Sequence, residues 1–546
     1  MPSGRRFGTL DDLQSSSSLS ALVARDISKA YGDRVVLDGV DLLATPGQPL
    51  GLVGENGVGK STLLRIVAGR EEPDAGSVDR PTELGYLGQE PEFASGAAVG
   101  DVLDAALAPL HDAVGRLEAL SHRLDEPAAV DEYDALLGWA TLHEAWDADR
   151  RAETAAARLG LGRIERDRPV AAMSGGQRSR LALAALVARR PACVLLDEPT
   201  NHLDDQAMDL LEDFLSSLPG VVVVATHDRA FLDAVCAAVV DLDPAHLGVD
   251  GEGGNRYTGG YTDYLVAKRD ARRRWHEAFE AQQEELDELR RATRTTARQV
   301  AHNRPPRDAD KFIYQFKGHN VARTISRRVR DAERRIEVLE RQRVPKPPAP
   351  LSFRGVLAPQ RGPEGMAVTV RDLQVERRLD VPRLDVPTGG RLLVTGANGS
   401  GKSTLLKVLA GELGSFPAHV SVTARRVAHL PQDVVFTRPE RTPHEVYDAA
   451  TGSPVPLGDL GLLHPRELSR PVGVLSVGQQ RRLALAILVA RRPDLVLLDE
   501  PTNHISLTLA DELEESLQQS PGTVVVASHD RWLRKRWTGA VHHLSR

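Results

Sequence analysis

Short, largely apolar runs punctuate this chain at wide intervals, and all but one of the six end on an acid or a hydroxyl residue. Residues 50–53, 193–197 and 221–226 form one such series, and 391–395, 495–499 and 523–528 form a second. Runs of four to six apolar residues that stop on a charged or hydroxyl side chain read as strands buried on both faces of a parallel sheet. The stretches that follow the first run of each series, 61–68 and 403–410, carry helical spacing instead. Between the two series the period changes again. Trp275, Phe279, Gln282, Leu286, Leu289, Thr293, Thr296 and Val300 are spaced by fours and threes, as are Ile325, Val329, Ala332, Ile336 and Leu339. That is the seam of two helices packed as an antiparallel coiled coil, the first predicted over 263–298 and reaching roughly 54 Å. Asn303-Arg-Pro-Pro306 must break it. An Ala/Leu/Glu/Asp-rich stretch at about 99–159 predicts further helices within the first series.

The two series are copies. Gly54-Glu-Asn-Gly-Val-Gly-Lys-Ser61 recurs as Gly396-Ala-Asn-Gly-Ser-Gly-Lys-Ser403, and Val194-Leu-Leu-Asp-Glu-Pro-Thr-Asn-His202 recurs as Val496-Leu-Leu-Asp-Glu-Pro-Thr-Asn-His504. Each glycine-rich loop lies between a predicted strand and a predicted helix, the setting that makes such a loop a phosphate cradle. Gly54, Asn56, Gly57 and Gly59, with Gly396, Asn398, Gly399 and Gly401, would let backbone N–H groups converge on a β-phosphate. Lys60 and Lys402 would neutralise the β/γ oxygens. Ser61 and Ser403, followed by Thr62 and Thr404, would bring hydroxyls to Mg2+. Lysine is scarce here, nine residues in the chain against sixty arginines, so its retention at both loops points to a site that needs a compact ammonium.

Asp197 and Asp499 end buried strands and are placed to reach the same Mg2+. Glu198 and Glu500 follow, positioned to orient an attacking water. His227 and His529 end the next strands, in Thr-His-Asp-Arg and Ser-His-Asp-Arg, and are candidates to sense a γ-phosphate. Upstream of each acid lie Ser174-Gly175-Gly176-Gln177 and Ser476-Val477-Gly478-Gln479. With these motifs the chain resembles an ATP-binding-cassette ATPase carrying two P-loop ABC domains in tandem. The resemblance implies an α/β fold and a head-to-tail cassette pair with two ATP and Mg2+ sites. Site one would use Lys60, Ser61, Gln89, Asp197, Glu198 and His227 with Ser476, Gly478 and Gln479 opposite. Site two would use Lys402, Ser403, Gln432, Asp499, Glu500 and His529 with Ser174, Gly175, Gly176 and Gln177 opposite. Tyr31 stands at the adenine-stacking position of the first copy, and the corresponding place in the second is near Arg377, so the two sites are expected to hydrolyse ATP unequally.

Composition narrows the class. A chain of 546 residues has room for three to four domains, 41% of it is hydrophobic, and no apolar run approaches the ~18–20 residues that cross a bilayer. Residues 1–20 read as a disordered, solvated tail, and with only Cys193 and Cys236 no disulfide framework or zinc ribbon is possible, which suits a reducing cytoplasm. The net charge of −7 conceals a local reversal: residues 290–330 hold twelve Lys or Arg against two Asp, a net of +10. The break at 303–320 interleaves Arg304, Arg307, Lys311 and Lys317 with Phe312, Tyr314, Phe316 and His319. Cations for phosphates and rings for base stacking are what an RNA-contacting tip needs.

The spacing from Gln89 to Ser174 exceeds that from Gln432 to Ser476 by about 41 residues, an arm in the first cassette. That arm, and a charged helical hairpin between cassettes, resemble the ABC-F family of translation factors over nearly the whole chain. The expected organisation is a first cassette at 21–262 with its arm at 99–159, a long antiparallel α-helical hairpin at 263–345, a Pro-rich connector at 346–364 and a second cassette at 365–546. The resemblance implies a monomeric ATPase that, closed on ATP, occupies the tRNA exit site of the bacterial ribosome. Its hairpin would face large-subunit RNA and peptidyl-tRNA near the peptidyl-transferase centre, with dislodging of ribosome-targeting antibiotics as the outcome. The alternative is a cytosolic ATPase subunit energising a separate membrane transporter, a drug exporter or sugar importer, which has no need of a basic hairpin. A DNA-repair cassette protein is a further rival, disfavoured by the two cysteines. A general elongation helper shares every motif.

Overall fold

The computed structural model describes residues 20–32, 34–54, 57–201, 203–243, 256–300, 327, 329–347, 357–358, 364–375, 378–397, 399–414, 418–502, 505 and 507–544, with backbone alone at 294–300 and 507–508. The predicted basic tip 303–320, Asn56, His202, Arg377, Asn398 and His504 lie outside the described residues. The chain divides into two compact units, Met1–Asp243 with Thr258–Thr262 and Leu351–Arg546 in one, Pro244–Tyr257 with Asp263–Pro350 in the other.

The first unit contains the same α/β arrangement twice. In the first half, parallel strands run in the order Leu84–Leu87, Cys193–Asp197, Val221–Ala225, Leu50–Val53 and Ala238–Asp241. In the second half the order is Val427–Leu430, Leu495–Asp499, Thr523–Ala527, Arg391–Gly396 and Ala540–Leu544. The central strands are buried at every position, so nothing but Val, Leu, Ala, Cys or Thr fills them until the terminal acid. Each half adds a three-stranded antiparallel sheet, Arg34–Ala44, Leu22–Tyr31 and Ala75–Asp79 in one, Leu379–Pro387, Met366–Val375 and His419–Val422 in the other.

Helices Lys60–Val67 and Lys402–Leu409 follow the glycine-rich loops, one residue earlier than the apolar spacing predicts. Gly59 at φ 114° and Gly401 at φ 96° are the reason, because a left-handed residue at the N-cap turns the chain directly into the helix at lysine. Helices Gly175–Arg189 and Val477–Ala490 start on capping boxes. Gln177 N–H donates to Ser174 Oγ at 3.3 Å while Ser174 N–H donates to Gln177 Oε1 at 3.0 Å, and Ser476 with Gln479 repeats the pattern at 3.3 and 2.8 Å. The Ser-x-Gly-Gln sequence is thus a helix-start device before it is anything else.

Helices Val99–Ser121, Pro127–Leu142 and Ala148–Arg158 form a satellite core of Leu107, Leu110, Leu117, Leu136 and Trp139 in the first half. Trp139 Nε1 donates to Glu83 Oε1 at 2.5 Å, and the buried His143 ring meets the Arg190 carbonyl at 2.6 Å, fixing these helices to the sheet.

In the second unit, helix Tyr261–Val300 from Asp263 onward packs beside the helical residues 329–341. Trp275 Nε1 donates to the Pro345 carbonyl at 2.9 Å, Gln282 Nε2 to the Gln342 carbonyl at 2.9 Å, and Arg335 Nε to Glu285 Oε1 at 2.7 Å. As one number rises the other falls, so the two helices are antiparallel. The buried Gln282 also accepts from Val344 N–H at 2.8 Å, and one satisfied polar group at a seam fixes its register. Among the described residues no helix is long and apolar enough to cross a membrane.

The two halves of the first unit meet through arginine. Arg229, 1% exposed, donates to Asp511 Oδ1 at 2.8 Å, to Asp530 Oδ2 at 2.7 Å and to Glu514. Burial works against its charge, and the three carboxylates outweigh burial and hold the guanidinium firmly protonated. Arg531 repeats the contact in the opposite sense, reaching Glu212 Oε1 at 2.6 Å and Asp209 Oδ1 at 2.7 Å from a more exposed position. Tyr261, wholly buried, donates its hydroxyl to Asp511 Oδ2 at 3.2 Å and stands edge-on to Trp532.

Removing one partner of a buried ion network leaves the others desolvated and unpaired. Arg229→Met is therefore expected to cost about 3–5 kcal/mol. In double-mutant cycles read by chemical denaturation, Arg229→Met with Glu514→Gln should couple by ~1 kcal/mol or more, and Arg531→Met with Glu212→Gln by well under that. Equal coupling in the two cycles would mean that burial does not set the strength of this contact.

Candidate functional site

One cavity of about 920 Å³ in the first unit gathers both glycine-rich loops. Tyr31, Gly57, Gly59, Lys60, Ser61, Thr62, Gln89, Glu198 and His227 line it from the first half. Gly399, Gly401, Lys402, Ser403, Thr404, Gln432, Asp499, Glu500 and His529 line it from the second, together with Ser476, Val477 and Gly478. Gly54, Gly396, Asp197 and Gln479 do not line the cavity, and neither do Ser174, Gly175, Gly176 and Gln177. The structure also places Val36, Arg378, Thr200, Asp205, Arg229 and Arg531 on the wall, residues that motif spacing alone does not single out.

The loops are built as backbone cradles. Gly54, Gly57 and Gly59 take φ of 142°, 84° and 114°, and Gly396, Gly399 and Gly401 take 148°, 79° and 96°, all closed to ordinary side chains. A Cβ on Gly59 would sit 2.6 Å from Leu37 Cδ2, and one on Gly401 2.3 Å from the Arg378 carbonyl. Lys60 Nζ donates to the Gly54 carbonyl at 2.8 Å, and Lys402 Nζ to the Gly396 carbonyl at 2.9 Å. Burial lowers the pKa of both lysines.

Glu198 and Glu500 are the electrostatic extremes. Burial pushes the Glu198 carboxyl up to about 8 and the Glu500 carboxyl up to about 7, against the pull of the loop lysines. Both adopt left-handed backbone, φ 50° and 46°, held by Glu198 N–H to the Ala225 carbonyl at 2.8 Å and Glu500 N–H to the Ala527 carbonyl at 2.9 Å. A residue other than glycine in this conformation is strained. Glu500 accepts from Ser528 Oγ at 3.0 Å and His529 N–H at 3.1 Å. In the first half the corresponding hydroxyl, Thr226 Oγ1, pairs with Thr200 Oγ1 at 2.9 Å instead.

The histidines differ as well. His227 Nε2 lies 3.4 Å from Glu198 Oε1, whereas His529 Nε2 meets Lys402 Nζ at 2.6 Å. Burial, with Lys402 adding to it, depresses His529 to about 4, so its imidazole is neutral and accepts from the ammonium. Tyr31, 46% exposed, donates to Glu71 and accepts from Arg65 at 3.3 Å, which ties the ring to the helix after the loop.

The donor set fits Mg2+. Asp197 Oδ1 and Asp499 Oδ1 are buried oxygens with no hydrogen-bond partner, and the Ser61 hydroxyl bonds the Asp197 carboxylate. One carboxylate and one hydroxyl per site is how a protein holds Mg2+ that takes its other ligands from phosphate and water. Among the described residues no group of three His, Cys, Asp or Glu is placed to hold a metal by itself.

These arrangements define a pair of ATP-binding cassettes, and comparison with known proteins agrees. The profile of the family described as ABC transporter matches residues 37–201 and 379–503. The chain is 42% identical to the tylosin resistance ATP-binding protein TlrC of Streptomyces fradiae, over 96% of this chain and 97% of that protein. It is 31% identical to the energy-dependent translational throttle protein EttA of Mycobacterium tuberculosis, over 94% of this chain and 89% of that one. Among solved structures, an archaeal ribosome recycling factor, crystallised with the ribosomal stalk protein aP1, shares the fold at a TM-score of 0.56 and 20% identity, over 93% of this chain and 85% of that one. The chain belongs to the ABC-F family of ATP-binding-cassette proteins.

The raised carboxyls make stability depend on pH with a definite sign. Both acids hold their protons in the fold well above their ordinary range, so ionising them costs stability as pH rises through about 7 and 8. Glu198→Gln with Glu500→Gln removes that cost. In the nucleotide-free protein, the melting-temperature gain of this double variant over wild type should be small at pH 5 and grow toward pH 9. A gain that shrinks as pH rises would contradict the assigned burial.

Proposed function

We propose that this chain hydrolyses ATP at two composite sites and uses the cycle to bind and release the bacterial ribosome. The observation that carries this reading is the convergence of both lysine, acid and histidine sets on one cavity, in a chain with 42% identity to a resistance protein along nearly its whole length. Lys60 and Lys402 would hold the β/γ oxygens of ATP, with Tyr31 against the first adenine. Ser61, Gln89 and Asp197, and Ser403, Gln432 and Asp499, would hold Mg2+, which supplies neutralisation of charge on the transferred phosphoryl group. Glu198 and Glu500 would orient the attacking water. Carboxyls poised between about 7 and 8 are matched to accepting a proton near neutral pH. His227 and His529 would contact the γ-phosphate, and a neutral imidazole at His529 can donate there once Lys402 turns to the nucleotide.

Closure on ATP would bring Ser174, Gly176 and Gln177 to the second site, as Ser476 and Gly478 border the cavity already. In that state the protein would occupy the tRNA exit site. Its inter-cassette hairpin would extend toward the peptidyl-transferase centre, with Arg304, Arg307, Lys311, Phe312, Tyr314, Phe316, Lys317 and His319 at the tip contacting large-subunit RNA or peptidyl-tRNA. The expected consequence is displacement of ribosome-targeting antibiotics, in line with the name of the tylosin resistance relative. The working form would be a cytoplasmic monomer whose two cassettes pair within one chain.

The test is co-sedimentation of the Glu198→Gln, Glu500→Gln variant with bacterial ribosomes. It should bind ATP without turnover, pellet with ribosomes in ATP and not in ADP, and lose binding as salt rises because phosphate contacts release counterions. Intact ATP binding with no pelleting in either nucleotide would overturn the ribosome reading and favour an ATPase subunit of a membrane transporter. Unchanged turnover would overturn the roles of the two glutamates.

A further inference from the structure

Arg481 lies one turn beyond Ser476-Val477-Gly478-Gln479, on helix Val477–Ala490, and is 2% exposed. Its guanidinium bonds no carboxylate oxygen in the described structure. Nη1 donates to the Gln432 carbonyl at 2.5 Å, and Nη2 donates to the carbonyls of Asp499 and Glu500 at 2.6 Å each. One planar fork therefore joins three separate segments: the helix after the signature serine, the turn that carries Gln432, and the strand end that carries Asp499 and Glu500. Each of the last two segments bears a side chain assigned above to Mg2+ or to the attacking water.

Holding a guanidinium on carbonyls alone is costly. Burial works against its charge, with the nearby Asp499 and Glu500 carboxylates partly compensating. What that cost secures is geometric. The Glu500 peptide is strained at φ 46°, and it is held on one side by its N–H bond to Ala527 and on the other by Arg481. The aim of the carboxylate follows from the orientation of that peptide.

The first cassette lacks this device. Aligning Ser174 with Ser476 sets Ser179 against Arg481. A serine hydroxyl cannot span three chain segments. The next arginine, Arg180, turns instead to the carbonyls of Gly176 and Leu159, both at 3.2 Å.

We propose that Arg481 is a positioning residue of the second ATP site, fixing the Glu500 peptide and coupling it to the turn of Gln432, so that this site is the better organised of the two for hydrolysis. The proposal rests on the ATPase reading above. A lysine in its place offers a point charge without the planar fork and can serve the carbonyls only in part.

The test is steady-state and single-turnover ATPase kinetics of the full chain. Arg481→Ser, which installs the residue of the first cassette, should lower kcat about tenfold or more while KM for ATP changes little, since misplaced catalytic geometry costs rate rather than binding. Arg481→Lys should recover part of that loss. In single turnover, adding Arg481→Ser to Glu500→Gln should cost little further, because the arginine acts through the glutamate, whereas adding it to Glu198→Gln should cost its full effect. The reciprocal Ser179→Arg, placed in the first cassette where it cannot reach the Glu500 carbonyl in place of Arg481, should not restore Arg481→Ser. Loss of rate additive with Glu500→Gln, a rise in KM that matches the fall in kcat/KM, or full activity of Arg481→Ser would each overturn the assignment. A wild-type chain that binds ATP and never turns it over would overturn the ATPase reading and this proposal together; wild-type turnover matched by Arg481→Ser would overturn only the role of Arg481.

Discussion

Carrying a carboxylate from a dry sheet to the rim of a polar cavity is the constraint on which both cassettes are organised. The strands Cys193–Asp197 and Leu495–Asp499 are buried at every residue, and of the acids that follow them Glu500 is buried and Glu198 half-buried. A charge in such a place is tolerated only near compensating dipoles and cations. The glycine-rich loop beside it supplies these through a lysine and a row of backbone N–H groups. The sheet order then follows, since the loop strand and the acid strand must flank the strand that ends in histidine, as they do in both halves. Left-handed backbone at Glu198 and Glu500 is the residual strain, and the neighbouring carbonyl that accepts each N–H holds it in place.

Duplication preserves this frame and varies what surrounds it. The strand order, the glycine φ values and the capping boxes recur, because each is required for a sheet end to face a cavity. The second coordination of the acid does not recur. Ser528 bonds Glu500 while Thr226 turns to Thr200, His529 faces Lys402 while His227 is nearer Glu198, and Arg481 has only Ser179 as its counterpart. The serine and the arginine tighten the second acid relative to the first, whereas the histidine lies nearer the first acid. The surroundings of the two acids thus differ through several small changes around one recurring geometry.

The tandem α/β cassettes were legible in the sequence because buried strands, glycine loops and helix starts are local patterns, and their recurrence removes chance. The placement of Lys60, Lys402, Glu198 and Glu500 around a common cavity follows from the same patterns. What escaped has a physical reason. The burial of Arg229 and Arg481 escaped because nothing local in a sequence distinguishes a buried guanidinium from an exposed one. The partners of Arg229 are remote, with Asp511 and Glu514 more than 280 residues away. The left-handed glutamates escaped because a positive φ at a non-glycine residue leaves no mark on composition. The interleaved cations and rings at 303–320 are as plain in the sequence as the glycine loops, yet they lie outside the described residues and carry their reading on composition alone.

The arginine contacts between the halves bear on how the two sites communicate. Arg229 follows Asp228 and His227 in the chain, so the group that locks the halves together is two residues from the histidine on the cavity. Arg531 stands in the same relation to His529. A shift of either histidine loop would therefore move an arginine anchored in the opposite half, Arg229 on Asp511 and Glu514 of helix Leu507–Gln519 and Arg531 on Asp209 and Glu212 of helix Asp205–Ser217. Tyr261, the first residue of the long helix that leaves this unit, shares Asp511 with Arg229. The same carboxylate thus receives a hydrogen bond from one cassette and from the root of that helix. Because the network is buried, its members cannot exchange partners for water at low cost, so they move together or break together.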